Sequence, residues 1–165
     1  MKMKTLEDLF HHELKDLYSA EMQITKALPK MIKAVTSADL QQALQSHLEE
    51  TEHQIARLDE VLGKIELSAW GAKCKAMEGL IEEGEDILKA DMDDMVRDAA
   101  IIAACQRVEH YEMAGYGCAR TFAKQLGDEE AASLLQHSLD EEKAADVKLT
   151  QLATEHINSE AHAGA

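Results

Sequence analysis

Apolar side chains recur along this chain at intervals of three and four residues, the spacing that gathers them on one face of an α-helix. The series Leu6, Leu9, Phe10, Leu14, Leu17, Ile24, Leu28 and Met31 predicts a first long helix over about residues 6–35. Thr5 opens it, with Asp8 three residues later as its capping partner. Pro29 falls inside and predicts a kink rather than an end, because proline removes one backbone hydrogen bond to the preceding turn. Thr36 and Ser37 then open a second helix over about residues 37–62, carrying Leu40, Leu44, Leu48, Ile55, Leu58 and Leu62, with Gly63 as its left-handed stop.

Between Lys64 and Asp94 the pattern weakens around Trp70 and Gly71, then resumes as a short helix over about residues 74–88 interrupted by Gly79 and Gly84. A third long helix follows over about residues 95–126, closed by Gly127, and Asp128 caps a fourth over about 128–157, beyond which EAHAGA reads as a frayed tail. Two helix pairs with tight turns, joined by one long connection, make an all-α, ferritin-like up-down four-helix bundle whose crossover carries a short extra helix. Aromatic residues at 4%, a single proline and an abundance of strong helix formers agree with that class, and 165 residues form one domain with a real core.

Charge narrows the partners. With 32 acidic against 17 basic side chains, the net charge of -15 repels nucleic acid and anionic lipid, so neither is an expected partner. The opening MKMKTLEDLF has no unbroken apolar stretch, and the expected location is the cytoplasm. Cys74, Cys105 and Cys118 are too widely spaced for a zinc or redox motif and read as free thiols.

The informative departures are acids on the wrong face. On a helical wheel Glu21 falls within about 40° of the centre of the first apolar stripe, and Glu13 also faces inward. Glu109 and Glu112 lie within about 50° of the centre of the third, beside Cys105 and Tyr116; Glu142 and Asp146 lie within about 50° of the fourth. The second helix turns His47, Thr51 and Gln54 inward, keeps Glu50 at the edge and points His53 away. Counting outward from each tight turn brings these groups to one depth: Glu109 mirrors Asp146, Glu112 falls one position from Glu142, and Glu21 mirrors His53. Several buried carboxylates in one layer repel each other, and the wheel places Arg107 and Lys143 outside, so dissolved cations are the natural partners. Oxygen ligands with one or two imidazoles suit iron or manganese, with zinc a further candidate, and allow two ions to be bridged. Tyr116 faces the same layer, either as a hydrogen-bond donor to a ligand carboxylate or radical relay, or as a core tyrosine bonded to an acid.

Five motifs in order, LYSAEMQ at 17–23, HLEET at 47–51, CKAMEGLIEEG at 74–84, VEHYEMAGYG at 108–117 and LDEEKAADVKL at 139–149, closely resemble the YciE/YciF group of bacterial stress-response proteins. The resemblance implies a ferritin-like bundle, a homodimer, a di-iron centre and a role under general or osmotic stress. Carried onto this chain, the di-iron pattern expects a Glu from the first helix, supplied by Glu21, and a Glu-x-x-His from the second, matched in letters by Glu50 and His53, although the wheel prefers His47 as the imidazole. Glu109 and Glu112 fit the third helix. The fourth offers Glu142 and then Asp146 where a histidine is usual, a departure that favours manganese more than the full pattern would.

The metal set expected is therefore Glu21, His47, Glu50, His53, Glu109, Glu112, Glu142 and Asp146. The leading functional expectation is an oxidase- or peroxidase-like di-iron protein reacting with oxygen or hydrogen peroxide, no catalytic residue being assigned. The alternative is a non-enzymatic stress protein that works through its dimer or acidic surface, with metal only structural. Iron storage in a many-subunit cage is a third option.

Overall fold

The computed structural model describes residues 3–71 and 73–163, and every regular element among them is a helix, with the bundle and crossover expected from the periodicity. Helix α1 spans Leu6–Ala34, α2 Ala38–Lys64, α3 Lys75–Lys89, α4 Asp94–Gln125, α5 Glu129–Leu152 and α6 Asn158–Ala163. Helix α1 starts as predicted: the Thr5 hydroxyl accepts from the Asp8 amide at 3.0 Å and the Asp8 carboxylate accepts from the Thr5 amide at 3.1 Å. It runs on through Pro29. No helix among the described residues is long and apolar enough to cross a membrane.

Two dry clusters show how the rods are laid. One collects the end of α1 (Ile24, Leu28, Met31), the start of α2 (Leu40, Leu44), the start of α4 (Ile101, Ile102) and the end of α5 (Leu149, Leu152). The other collects the start of α1 (Phe10, Leu14, Leu17), the end of α2 (Leu58, Val61, Leu62), the end of α4 (Tyr116, Ala119, Ala123) and the start of α5 (Leu135, Leu139). Helices α1 and α5 thus share one direction and α2 and α4 the opposite one, so the chain must travel back along the bundle between α2 and α4, and it does so through α3, which packs on α1 and α4.

Three local expectations are corrected. Helix α2 continues to Lys64, and the left-handed residue is Glu66 (φ 50), not Gly63. The chain turns there because Leu67 donates to the Leu62 carbonyl at 2.9 Å, and half-buried Ile65 and Leu67 pack on the second cluster, which holds Glu66 in a conformation costing about 1 kcal/mol. Gly127 (φ 83) does take the left-handed position expected of it, with Asp128 donating to the Ala123 carbonyl at 2.9 Å. The fourth long helix does not run regularly to Ile157: Ala153–Ile157 is a π-helical turn, and helix continues as α6 over part of the expected tail. Leu149, Ala153 and Ile157 are all buried, and steps of four residues drift by about 40° on an α-helix; the wider turn keeps them on the inner face. Gly164 and Ala165 of that tail lie outside the described residues.

Candidate metal centre

Between the two dry clusters the bundle carries one polar layer. Helix α1 contributes Glu21 from between Leu17 and Ile24; α2 contributes His47, Thr51 and Gln54; α4 contributes Glu109 and Glu112; α5 contributes Glu142. All are buried, because each continues the apolar stripe of its helix at steps of three, four or seven residues. One ligand atom each from His47, Glu109, Glu112 and Glu142 lies within 4.8 Å of every other. Glu21 stands beside Glu112 at the rim of this set.

Protein donors satisfy only part of the layer. Tyr116 donates to Glu21 Oε1 at 2.5 Å. Gln54 Nε2 donates to Glu142 Oε1 and, at 3.1 Å, to Glu141 Oε2. Arg57 holds Glu141 through both terminal guanidinium nitrogens, at 2.8 and 2.5 Å, and also donates to Ser138 Oγ at 2.8 Å, so a chain Arg57–Glu141–Gln54–Glu142 steers the last carboxylate inward. Buried atoms of the layer left without a hydrogen-bond partner are Glu21 Oε2, both ring nitrogens of His47, Gln54 Oε1, Glu109 Oε2, both oxygens of Glu112 and Glu142 Oε2. Buried polar atoms are almost always paired, and several unpaired in one place mark where something else binds.

The electrostatics say the same. Burial, reinforced by the Glu142 charge, raises Glu21 well above the usual carboxylate range. Burial and then the contact with Glu142 raise Glu109; burial and then Glu21 and Glu142 raise Glu112. Burial works against a charged His47, yet Glu50 and Glu142 outweigh it and lift its pKa. Its Nε2 lies 3.3 Å from Glu109 Oε1 and its Nδ1 3.7 Å from Glu50 Oε2. Cys105 is pushed up to about 12 by burial alone, leaving it a protonated, unreactive core residue.

Of the residues singled out from sequence, Glu21, His47, Glu109, Glu112 and Glu142 come together, with Tyr116 on Glu21. Three do not. His53 is exposed on the outer face of α2, since six residues from His47 on a helix is a rotation of about 120° from the inward line. Asp146 is held at the α4 edge, accepting from Gln106 Nε2 at 3.1 Å with His110 Nε2 at 3.4 Å. Glu50 is half-exposed and touches the cluster only through His47. Glu13 is half-buried and apart from the layer. The Gln54 contact with Glu142 was legible in part, since Gln54 follows His47 by seven residues; the Arg57–Glu141 pair has no sequence signal, because neither residue stands in an apolar stripe. A second polar knot, equally unsignalled, ties the crossover to the bundle: Cys74 Sγ lies 3.2 Å from Asp16 Oδ2 and 3.0 Å from the Tyr111 hydroxyl.

Comparison with known proteins places these features in context. Residues 5–162 match the family model described as "Domain of unknown function (DUF892)". The protein YciF of Escherichia coli (strain K12) is 51% identical over 162 residues, covering 98% of both chains. The crystal structure of the E. coli stress protein YciF superposes with a TM-score of 0.91 at 52% identity, over 94% of this chain and 99% of that one. The structure of YcfI from Rhodopseudomonas palustris gives a TM-score of 0.87 at 49% identity, over 90% and 95%. A protein from Xanthomonas campestris pv. campestris, at 18% identity, shares the fold with a TM-score of 0.75, over 94% and 95%.

Proposed function

This chain belongs to the DUF892 family, described as a domain of unknown function, and on that premise we propose that it is a stress-response protein whose core holds two divalent metal ions, iron first, with manganese or zinc as alternatives. The observation that carries this reading is the layer of buried carboxylate and imidazole atoms left without partners among Glu21, His47, Glu109, Glu112 and Glu142. Four carboxylates and one neutral imidazole are a donor set that such ions accept, and facing carboxylates suit a pair of them.

In this reading His47, Glu109, Glu112 and Glu142 hold the ions and Glu21 completes the set. Two ferrous ions would supply the electrons that reduce oxygen or hydrogen peroxide. The protein's own part is to orient and to exclude. Tyr116 fixes the rotamer of Glu21, Gln54 with Arg57 and Glu141 behind it fixes Glu142, and the two dry clusters keep bulk water from both ends of the layer. A cytoplasmic homodimer, the form implied by the resemblance, belongs to the same proposal.

Protein purified without chelators or a histidine tag is expected to carry metal by elemental analysis, and anaerobic protein to bind ferrous ion stoichiometrically and change absorbance when oxygen is admitted. An absorbance unmoved by oxygen or peroxide removes the redox part. A folded, metal-free Glu109→Gln/Glu142→Gln variant that still protects cells fully would give the function to the surface of the protein instead.

A further inference from the structure

A cleft of about 350 Å³ runs from the surface between α2 and α5 and ends on His47 and Glu109. It exists because α5 presents Ala144 and Ala145 where longer side chains would fill the space, Ala145 following the buried Glu142 by three residues. Across the gap, α2 lines it with two carboxylates, Asp39 and Glu50, while α5 adds Lys148 to the lining. A second recess that reaches His47 and Glu109 is about 40 Å³ and walled mainly by apolar groups, including Ile24, Leu28 and Met31, so before those two residues it gives a hydrated cation no carboxylate to hold.

Along the larger cleft the polar groups stand in series. Glu50 has 41% of its side chain in solvent, its Oε2 lies 3.7 Å from His47 Nδ1, and His47 Nε2 lies 3.3 Å from Glu109 Oε1. His47 is buried with neither nitrogen hydrogen-bonded, so its ring stands free between an outer and an inner carboxylate. We propose that this cleft is the port through which divalent cations reach the buried layer, with Glu50 capturing them from solvent and His47 passing them to Glu109. The proposal rests on the metal-site reading above. Capture at Glu50 strips part of the hydration shell where water is still at hand, and the imidazole then bridges a gap too long for one carboxylate to span. A net charge of -15 draws cations to the surface, and the cleft supplies them a way in lined by Asp39 and Glu50.

The test is the rate of cobalt(II) uptake by metal-free protein, followed by its visible absorbance in stopped flow, beside the stoichiometry from equilibrium dialysis. Ala145→Leu plugs the throat and is expected to slow uptake about tenfold or more while leaving the final stoichiometry unchanged. Glu50→Gln, on the half-exposed rim, is expected to slow it about tenfold at low salt and to flatten its dependence on ionic strength. Both variants loading fully at the wild-type rate would overturn the port and leave the metal site standing. Wild-type protein that binds no cobalt at equilibrium overturns the metal site and the port together. Should Ala145→Leu itself lose stoichiometry, Glu50→Gln decides, an unchanged rate counting against the port.

Discussion

Two groups of buried carboxylates in this molecule face opposite circumstances. Asp98, in the first turns of α4, is wholly buried, yet its oxygens accept from the Thr36 amide at 3.0 Å, the Ser37 amide at 2.7 Å and the Thr36 hydroxyl at 3.0 Å. It pins the turn between α1 and α2, including Ser37, the N-cap of α2, onto the third long helix. The acids of the central layer are equally deep, but most of their oxygens meet one another or nothing. Burial alone therefore does not mark a metal site. A carboxylate surrounded by donors is a structural clasp, whereas carboxylates surrounded by carboxylates call for an external cation.

Substitutions should act with opposite sign in the two places. The largest effect is expected from Asp98→Ala, which strands the donors of the turn and should cost about 3 kcal/mol in chemical denaturation while leaving metal stoichiometry unchanged. Unaltered stability would dissolve the contrast. At the central layer, metal-free Glu109→Gln/Glu142→Gln should be more stable than metal-free wild type near neutral pH, by about 2 kcal/mol, and manganese should no longer raise its melting temperature. A loss of stability without metal, comparable to that of Asp98→Ala, would mean that these acids are satisfied within the protein.

The contrast extends to pH. Glu21, Glu109 and Glu112 have pKa values raised above 4.5 in the fold, so above that pH the native protein holds more protons than the unfolded chain. The stability they contribute is complete below about pH 4.5 and is lost as pH rises through their folded values. His47, also raised, works in the same direction above its ordinary 6.5. In chelator, the melting temperature should fall between about pH 5.5 and pH 8, and saturating manganese should cancel or invert that slope. A metal-free melting temperature that climbs across this interval counts against the layer as described. The smallest effects separate the two imidazoles. His53→Ala should change stability by less than about 0.5 kcal/mol and leave metal affinity alone, whereas His47→Ala should weaken binding about tenfold or more in a competition assay with a chelator.

Much of the central layer is legible in the amino-acid sequence. Glu21, Glu109, Glu112 and Glu142 betray themselves by interrupting an apolar stripe, and His47 by sharing its face with Leu40, Leu44 and Leu58. The Glu50-x-x-His53 spelling misleads because a motif of letters carries no phase, while the wheel, which does, turns His53 outward. Asp146 shows the limit of the wheel: about 50° from the stripe centre it can fall to either side, and Gln106 and His110 on the neighbouring helix draw it outward. Asp98 gave no warning, because its donors lie sixty-odd positions away in a turn with no periodicity of its own.

Periodicity, capping residues and helix-breaking turns are local properties, and from them the sequence by itself determined the four long rods, the crossover and the entry of Glu21, Glu109, Glu112 and Glu142 into the core. What the tertiary structure alone decided is how those rods are rotated and offset against each other. That choice put Arg57 on Glu141, set Glu50, His47 and Glu109 in a row, and left the space above Ala145 open. It is settled by packing summed over every side chain in both dry clusters, and no single stretch of sequence contains that sum.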